Sequence, residues 1–494
     1  MQDRFDFTAP VPPADELGPV HLVAIGGSGV SGVARMFLAR GIPVSGSDRN
    51  DSPTLRALEA EGARVHVGHD AAHLGQAQTV VISGAIREDN PELAAARAGG
   101  LRVLHRAQGI ASLLAGRPVV AVAGANGKTT TSAMTTTALQ AAGLDPGYVI
   151  GAPLSSTGAN AAPGGQEAPV VVEADESDGS FLAYGPDVAV VTNVQPDHPD
   201  FYGDLETLEQ AYLDFVATMT PGGLLVTHAD DPGAARLALA ARAAGTRVLT
   251  WGSGSSADVL LTDVSTSGMR SRGTLTFTRA LGELPEGATA HLDLPVPGEH
   301  NVHNATAALL AAVVGLGAPL EAVLTGLSGF AGAHRRFELV GRHDGLEVVD
   351  DYAHNAPKVA AAVLAARSAA EGRRVVVAFQ PHLFSRTQDF AEGFVKGLSA
   401  ADVVVLLPVY GARETQEEHP GVTSGLLADL LNKAPDAPQV HLAADLDDAA
   451  RVLADLVSDR DDLVVTVGAG DVTEVGPRLL HLLGDQDHDG EGAT

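Results

Sequence analysis

A short glycine loop with a lysine and threonines directly behind it is the segment best suited to chemistry. Its residues are Gly124, Ala125, Asn126, Gly127, Lys128, Thr129 and Thr130. The apolar run 119–122 in front of the loop predicts a buried parallel strand, and a helix is predicted from residue 128 to about 143. Backbone N–H groups at such a junction point at one spot, and the helix N-terminus adds positive potential there, which suits a polyphosphate.

Within this loop, Lys128 can reach the outer phosphates of a nucleotide, and the Thr129 hydroxyl can hold Mg²⁺. The spacing is the short G-x-x-G-K-T form, since Val122 occupies the position of the first glycine in the longer Walker pattern. A strand–turn–helix that merely favours glycine is the structural alternative. Because lysine and threonines follow the second glycine at once, the sequence favours nucleotide binding.

Two further strand ends carry groups that could bind a metal. The apolar run 169–172 ends in Glu173 and further acids, and the run 187–192 leads to His198. A strand that ends in acids near a phosphate loop is the usual source of a Mg²⁺ carboxylate. A solvated acidic loop and a packed histidine are the alternatives. Three successive strand ends with such side chains predict convergence on one Mg²⁺–nucleotide.

A second glycine loop lies near the N-terminus, after the predicted strand 20–25. Gly27, Gly29 and Gly32 form a G-x-G-x-x-G pattern, and Asp48 ends the next strand. This is the dinucleotide fingerprint, in which glycines admit a pyrophosphate and the acid binds a ribose hydroxyl. The pattern alone suggests NAD, with a cofactor-free Rossmann-like module as the alternative. Ser83 follows the strand 80–82 and is expected at the same sheet edge.

These loops need parallel sheets to position them, and the 494 residues suffice for several α/β domains. We predict an N-terminal Rossmann-like domain over 1–117, a central domain with a parallel sheet over 118–328, and a C-terminal Rossmann-like α/β domain over 329–484. An acidic tail, 485–494, is expected to be disordered. In the C-terminal domain, polar residues again gather at the predicted carboxyl ends of strands.

Composition excludes several classes of protein. The chain has no cysteine, which rules out disulfides, thiolate metal sites and a cysteine nucleophile. A net charge of −29 disfavours nucleic-acid and anionic-membrane binding. Neither a signal peptide nor an apolar run long enough to span a bilayer is visible, so a cytoplasmic location is expected.

Taken in order, these motifs resemble the Mur ligases, the ATP-dependent enzymes that build the peptide stem of peptidoglycan. The resemblance covers roughly residues 20–475. The short phosphate loop is general to that family. Four segments are similar to the branch that adds L-alanine to UDP-N-acetylmuramate: 173–181, 192–198, 330–338 and 379–387. Some later-acting members use a carbamylated lysine soon after the histidine matching His198, and this chain has no lysine between Lys128 and Lys358.

The resemblance implies ATP and Mg²⁺ as cofactors, UDP-N-acetylmuramate and L-alanine as substrates, and a monomer or homodimer. The implied UDP-sugar-binding residues are Gly27, Ser28, Gly29, Asp48 and Ser83. The implied ATP-binding residues are the loop residues 124–130 together with Asn304, Arg336 and Asp351. The implied metal-binding residues are Thr129, Glu173 and His198. The implied catalytic residues are Lys128, Glu173, His198, His354 and Arg386, of which His354 and Arg386 hold the carboxylate of L-alanine or the acyl phosphate.

Two positions leave the amino-acid preference open. Asn355 stands where the branch usually has a second histidine, and Leu383 stands where it usually has an arginine. Loss of a guanidinium weakens bidentate recognition of a carboxylate. A Mur ligase that attaches another amino acid or a recycled tripeptide is therefore an alternative. More distant alternatives are an NAD-dependent oxidoreductase and a nucleotide-binding protein without catalysis.

Overall fold

Three β-sheets organise the computed structural model, which describes residues 4–412, 414–457 and 461–490. The strands are β1 Val20–Val23, β2 Val44–Asp48, β3 Arg64–Val67, β4 Thr79–Ile82, β5 Arg102–His105, β6 Val119–Ala123, β7 Gly147–Val149, β8 Ala161–Ala162, β9 Val170–Glu173, β10 Val188–Val191, β11 Leu224–His228, β12 Arg247–Gly252, β13 Val259–Ser267, β14 Arg270–Phe277, β15 Thr289–Leu294, β16 Glu338–His343, β17 Leu346–Asp351, β18 Arg374–Phe379, β19 Val403–Leu406, β20 Gln439–Leu442 and β21 Asp462–Val467.

Helices cover these sheets. The α-helices are α1 Ser28–Ala39, α2 Pro53–Ala60, α3 Pro91–Ala98, α4 Arg106–Leu114, α5 Lys128–Ala141, α6 Pro199–Tyr202, α7 Leu205–Ala217, α8 Pro232–Ala243, α9 Glu299–Leu310, α10 Leu320–Ser328, α11 Ala356–Ala369, α12 Phe384–Asp389, α13 Ala391–Leu398, α14 Ser424–Leu431, α15 Leu446–Val457 and α16 Val475–Gly490. Among the described residues, no helix combines the length and apolar character needed to cross a membrane.

The first sheet is entirely parallel, with the strand order β3-β2-β1-β4-β5. Strands β1 and β4 are buried along their whole length. Fully buried parallel strands consist of continuous apolar runs, and such runs are easily recognised in a sequence. Because the strands run in one direction, the loops that follow β1, β2 and β4 emerge at one edge.

The second sheet has the order β15-β14-β13-β12-β11-β10-β6-β9-β7-β8. Strand β6, which leads into the phosphate loop, lies between β10 and β9 and is parallel to both. All five of its residues are buried. The edge formed by β13 to β15 is absent from our sequence interpretation. Its alternation of buried and exposed residues, clearest in β14, is typical of strands with one solvated face.

The third sheet has the order β16-β17-β21-β18-β19-β20 and is parallel except for the β16–β17 pair. Hydrophobic clusters lie on both of its faces. Strand β17 extends through Asp350 and Asp351, which the sequence places just beyond the strand. Pairing with Thr466 and Val467 of β21 accounts for the two additional residues.

The α/β class is confirmed, and each predicted domain contains one of the three sheets, although the exact domain borders stay predictions. The chain forms two compact units: the first comprises the chain to Asp263 with Gly273–Leu292 and Val302–Ala331, and the second comprises the remainder.

Helix α16 runs through Gly490, into the segment predicted to be a disordered tail. Val475, Leu479 and Leu483 bury its first turns, and continuing an existing helix costs little. Residues 491–494 of the predicted tail lie outside the described residues.

Candidate active site

The phosphate loop joins β6 to α5 and is shaped by two glycines. Gly124 has a φ of 130° and Gly127 a φ of 88°, conformations that side-chain-bearing residues rarely adopt. A Cβ atom on Gly124 would lie 2.1 Å from Thr192 Oγ1, and one on Gly127 would lie 2.5 Å from Asn304 Oδ1. Both the backbone conformation and the space therefore require glycine at these positions.

The end of β10 holds the phosphate loop in place. Thr192 Oγ1 donates to the Asn126 carbonyl at 2.6 Å. The Asn193 amide both donates to that carbonyl at 2.9 Å and accepts from the Asn126 N–H at 3.0 Å. These three bonds fix the backbone of Asn126 through both its N–H and its carbonyl. From the sequence we predicted no role for these two residues, although Thr192 ends the predicted strand 187–192 and Asn193 follows it directly.

Lys128 begins α5 and turns back over its own loop. Its ammonium donates to the Gly124 carbonyl at 2.7 Å and to both Glu176 carboxylate oxygens, at 2.8 and 3.0 Å. Its side chain is 12% exposed, and that of Glu176 is 1% exposed. Burial alone would lower the pKa of Lys128, but the charges of Glu176, Asp175 and Glu173 outweigh it and raise the pKa. Lys128 is thus a charged ammonium at neutral pH.

Glu173 ends β9, next to the phosphate loop. Thr129 Oγ1 donates to Glu173 Oε1 at 3.1 Å, and the backbone N–H of Gly151 donates to Oε2 at 2.7 Å. Strand β9 pairs with β6, so the sheet itself brings the two strand ends together. Two of the three predicted metal-binding residues, Thr129 and Glu173, are therefore in direct contact.

His198, the third predicted metal-binding residue, lies with two acids that the sequence interpretation did not select. One ligand atom from each of Asp175, Glu176 and His198 falls within 4.8 Å of the others, a spacing compatible with a metal ion. His198 Nε2 is 3.9 Å from Glu176 Oε1 and 3.8 Å from Asp197 Oδ1. The run of acids after β9 was the available signal, but it does not say which of them faces His198.

Asn304 lies on α9 and is buried against the phosphate loop. Its Oδ1 accepts from Thr131 Oγ1 at 3.2 Å and faces Gly127. Lys128, Thr129 and Asn304, which the resemblance assigned to ATP, and Glu173, which it assigned to the metal, are thus brought together around one loop in the first unit.

The N-terminal glycine loop joins β1 to α1, and Ser28 is the first residue of that helix. Asp48, at the end of β2, accepts from the Gly26 N–H through Oδ2 at 2.9 Å. Gly27 is exposed, whereas Gly29 and Ser83 are partly buried. Since β2, β1 and β4 are neighbours in a parallel sheet, the predicted UDP-sugar-binding residues lie along one edge.

In the second unit, Asp351 is already engaged with the backbone. It accepts from the N–H groups of Phe337 and Ala353, both at 2.9 Å, and burial raises its pKa. The guanidinium of Arg336 lies over the ring of Tyr352, 5.3 Å from its centroid.

His354 is neutral and has a defined tautomer. Its Nδ1 lies 3.0 Å from the Tyr352 carbonyl, which can only accept, so Nδ1 carries the proton and Nε2 is unprotonated. Burial, with smaller effects from the charges of Lys358 and Arg386, lowers the pKa of His354 to about 4. The ring of His382 is 5.9 Å away. The joint role of His354 and Arg386 in holding a carboxylate or the acyl phosphate stays a prediction.

The two unusual residues near this cluster both have structural roles. Asn355 caps α11, accepting from the Lys358 N–H at 3.0 Å. Leu383 is buried and precedes α12, with a φ of 69°. The structure thus accounts for Asn355 as a helix cap and for Leu383 as part of the packing.

The chain matches family descriptions over nearly its full length. Residues 19–118 match the Mur ligase family catalytic domain, 122–312 the Mur ligase middle domain, and 335–470 the Mur ligase glutamate ligase domain. The chain belongs to the Mur ligase family. This membership confirms the resemblance that the motifs indicated.

Individual Mur ligases are similar along the whole chain. UDP-N-acetylmuramate–L-alanine ligase of Kineococcus radiotolerans is 51% identical over 473 residues, covering 95% of this chain and 97% of that protein. The protein of that name from Thermobifida fusca is 47% identical over 478 residues, covering 95% and 98%. The crystal structure of UDP-N-acetylmuramate–alanine ligase from Thermotoga maritima matches with a TM-score of 0.76 at 27% identity, covering 95% and 99%.

Proposed function

We propose that this Mur ligase uses ATP to join L-alanine to the lactyl carboxylate of UDP-N-acetylmuramate, a step in peptidoglycan synthesis. The observation that carries the proposal is the 51% identity, over 95% of the chain, to the Kineococcus radiotolerans ligase of that name. The glycine loop with its charged lysine supports the ATP-dependent half of the reaction.

The chemistry needs activation because a carboxylate does not react with an amine at neutral pH. In the first step, a carboxylate oxygen attacks the terminal phosphorus of ATP and the bond from that phosphorus to the bridging oxygen breaks. ADP departs, and an acyl phosphate is formed. In the second step, the amine of L-alanine attacks the acyl carbon, the bond to the phosphate oxygen breaks, and an amide forms. The alanine ammonium loses two protons in all: one passes to a base, which frees the amine for attack, and the other passes to the departing phosphate.

Lys128 is assigned to the first step. Its ammonium stays charged when buried and can stabilise the charge spread over the transferring phosphoryl group. Glu176 holds the ammonium at the loop before a nucleotide binds. Thr192 and Asn193 fix the backbone of Asn126, so the neighbouring N–H groups of the loop need little reorganisation when phosphate binds.

The donors around the loop suit Mg²⁺, a hard cation that prefers oxygen ligands. We propose Thr129, Glu173 and His198 as metal-binding residues, and add Asp175 and Glu176 because they lie with His198. When bound, Mg²⁺ supplies positive charge to the phosphate oxygens. A histidine nitrogen that binds metal has no lone pair left for a proton, so His198 cannot act as ligand and base through the same atom.

The N-terminal loop is assigned to the UDP moiety of the sugar nucleotide. Gly27, Ser28 and Gly29 are proposed to lie under the diphosphate, with Asp48 and Ser83 beside it. Asp48 stabilises the loop backbone through Gly26, which gives this acid a role besides ribose binding.

In the second unit, His354 and Arg386 are proposed to hold the carboxylate of L-alanine or the acyl phosphate, and Arg336 and Asp351 to contact ATP. Burial lowers the pKa of His354 to about 4, so its imidazole is neutral at physiological pH. We also propose a cytoplasmic location and a monomeric or homodimeric enzyme.

Mass spectrometry of the product tests the proposal. Purified protein is incubated with ATP, Mg²⁺, UDP-N-acetylmuramate and L-alanine, and each component is omitted in turn. We expect a product heavier than the sugar nucleotide by one alanyl residue, with equimolar ADP, only in the complete mixture. Adding NAD instead of ATP should give no product, and nicotinamide-dependent oxidation of the sugar nucleotide would contradict the assignment.

A further inference from the structure

Arg106 stands at the polar edge of the first sheet. It is the first residue of α4 and directly follows β5, which lies beside β4 in the sheet order. Because β5 and β1 are parallel to β4, Arg106 and the N-terminal glycine loop emerge at the same edge. Residues far apart in the chain thus meet there.

The Arg106 guanidinium lies directly against the glycine loop. A Cβ atom on Gly29 would be 2.0 Å from Arg106 Nη1 and 3.2 Å from Cζ. Such distances are far below van der Waals contact, so even an alanine at position 29 would displace the guanidinium. Gly29 therefore admits the arginine side chain to the loop.

Among the described residues, this guanidinium has neither a hydrogen-bond partner nor an ion-pair partner. Arg106 Nε is buried and has no hydrogen-bond partner, and no described carboxylate forms an ion pair with the side chain. By contrast, Arg117 donates to the Ala168 and Pro163 carbonyls, both at 2.8 Å. A buried donor left without an acceptor is costly, and the chain carries a net charge of −29 that could readily supply one.

We propose that Arg106 binds the diphosphate of the sugar nucleotide and acts as the cation of the N-terminal glycine loop. The inference rests on the proposed function, since it assigns a further residue to the UDP-sugar site. A guanidinium is planar and can donate two parallel hydrogen bonds to phosphate oxygens. The loop supplies backbone N–H groups and the helix N-terminus, but its own sequence contains no cation.

Calorimetric titration of the whole protein tests the proposal, with UDP, UDP-N-acetylglucosamine and UDP-N-acetylmuramate as ligands. Only the last of these carries a lactyl carboxylate, so the series separates diphosphate binding from carboxylate binding. We expect Arg106→Gln to lower the affinity for all three ligands by about 10–100-fold, because hydrogen bonds to a charged group are lost. Arg106→Lys should recover part of the affinity, and ATP binding should not change.

Arg97→Gln is the matched control, because Arg97 is an exposed residue of α3 that pairs with Glu88 at 3.0 Å. It should bind every ligand as the wild type does. Thermal unfolding provides a second readout: an arginine without protein partners can be removed without lowering the melting temperature of the free protein. A structural arginine would lower it.

Unchanged affinity of Arg106→Gln for UDP, while the wild type binds UDP and makes product, would overturn the inference and leave the proposed function intact. If Arg106→Gln lost affinity for UDP-N-acetylmuramate alone, the inference would be wrong, and Arg106 would instead bind the lactyl carboxylate. If the wild type bound none of the three ligands, the proposed function itself would be wrong.

Discussion

The two glycine loops of the first unit are built alike in their backbone and differently in their charge. Each follows a buried parallel strand and opens a helix. Each is held by a side chain from the end of the neighbouring strand: Asp48 accepts from Gly26, and Asn193 accepts from Asn126. The second loop carries its own cation, Lys128, already paired with Glu176. The first loop has no cation in its own sequence, and the guanidinium of Arg106, from α4, lies against it.

This difference in charge indicates what each loop does with a bound phosphate group. At the second loop, acids around Lys128 offset its charge and provide oxygen donors for a metal ion, which suits a phosphate that must react. At the first loop, the Arg106 guanidinium forms no ion pair with the described residues, which suits a diphosphate that is only bound. The two loops should therefore respond separately to substitution.

The largest expected effect is at Lys128. Lys128→Ala should lower kcat/KM by about 10²–10³-fold or more, because the cation that stabilises the transferring phosphoryl group is lost. Affinity for UDP should stay unchanged, since that ligand uses the other loop. Steady-state phosphate release and UDP titration measure the two effects, with exposed Lys433→Ala as the control. Full turnover in a folded Lys128→Ala variant would contradict the assignment of residues 124–130 as the phosphate loop.

A somewhat smaller effect is expected at Glu173. Glu173→Gln keeps a hydrogen-bond acceptor for Thr129 but removes the charge, so we expect about 10–100-fold lower turnover and a higher Mg²⁺ requirement. A Mg²⁺ titration of phosphate release measures both changes. Glu167→Gln, at an exposed position, is the matched control. An unaltered Mg²⁺ requirement would point instead to Asp175, Glu176 and His198 as the complete metal site.

The smallest effects are expected at the two side chains that hold the loops. Asn193→Ala should raise KM for ATP about tenfold while leaving UDP affinity alone, and Asp48→Ala should do the reverse, since each removes hydrogen bonds to one loop. Each variant serves as the control for the other. If either variant lowered the affinity for ATP and for UDP equally, the two loops would not be independent.

Much of this arrangement was predictable because buried parallel strands are continuous apolar runs and glycine loops follow them directly. Lys128, Thr129 and Glu173 stand next to strands whose pairing the α/β pattern dictates, so their meeting could be predicted. Arg106 could not be, because nothing local distinguishes the first residue of α4, and its role appears only when β5 is placed beside β4. Likewise, which acid faces His198 depends on two irregular loops: the loop after β9 carries Asp175 and Glu176, and the loop after β10 carries His198, whose φ is 51°.

One assay decides whether this chain is an L-alanine-adding ligase. It measures phosphate release from ATP in the presence of Mg²⁺ and UDP-N-acetylmuramate, with L-alanine, L-serine, glycine or a stem tripeptide as the acceptor. We expect release that requires both the sugar nucleotide and L-alanine, which would show that Asn355 and Leu383 are compatible with this activity. Release with the tripeptide alone would assign the chain to a recycling ligase. No release with any acceptor, from protein that binds ATP, would contradict the proposed catalysis altogether.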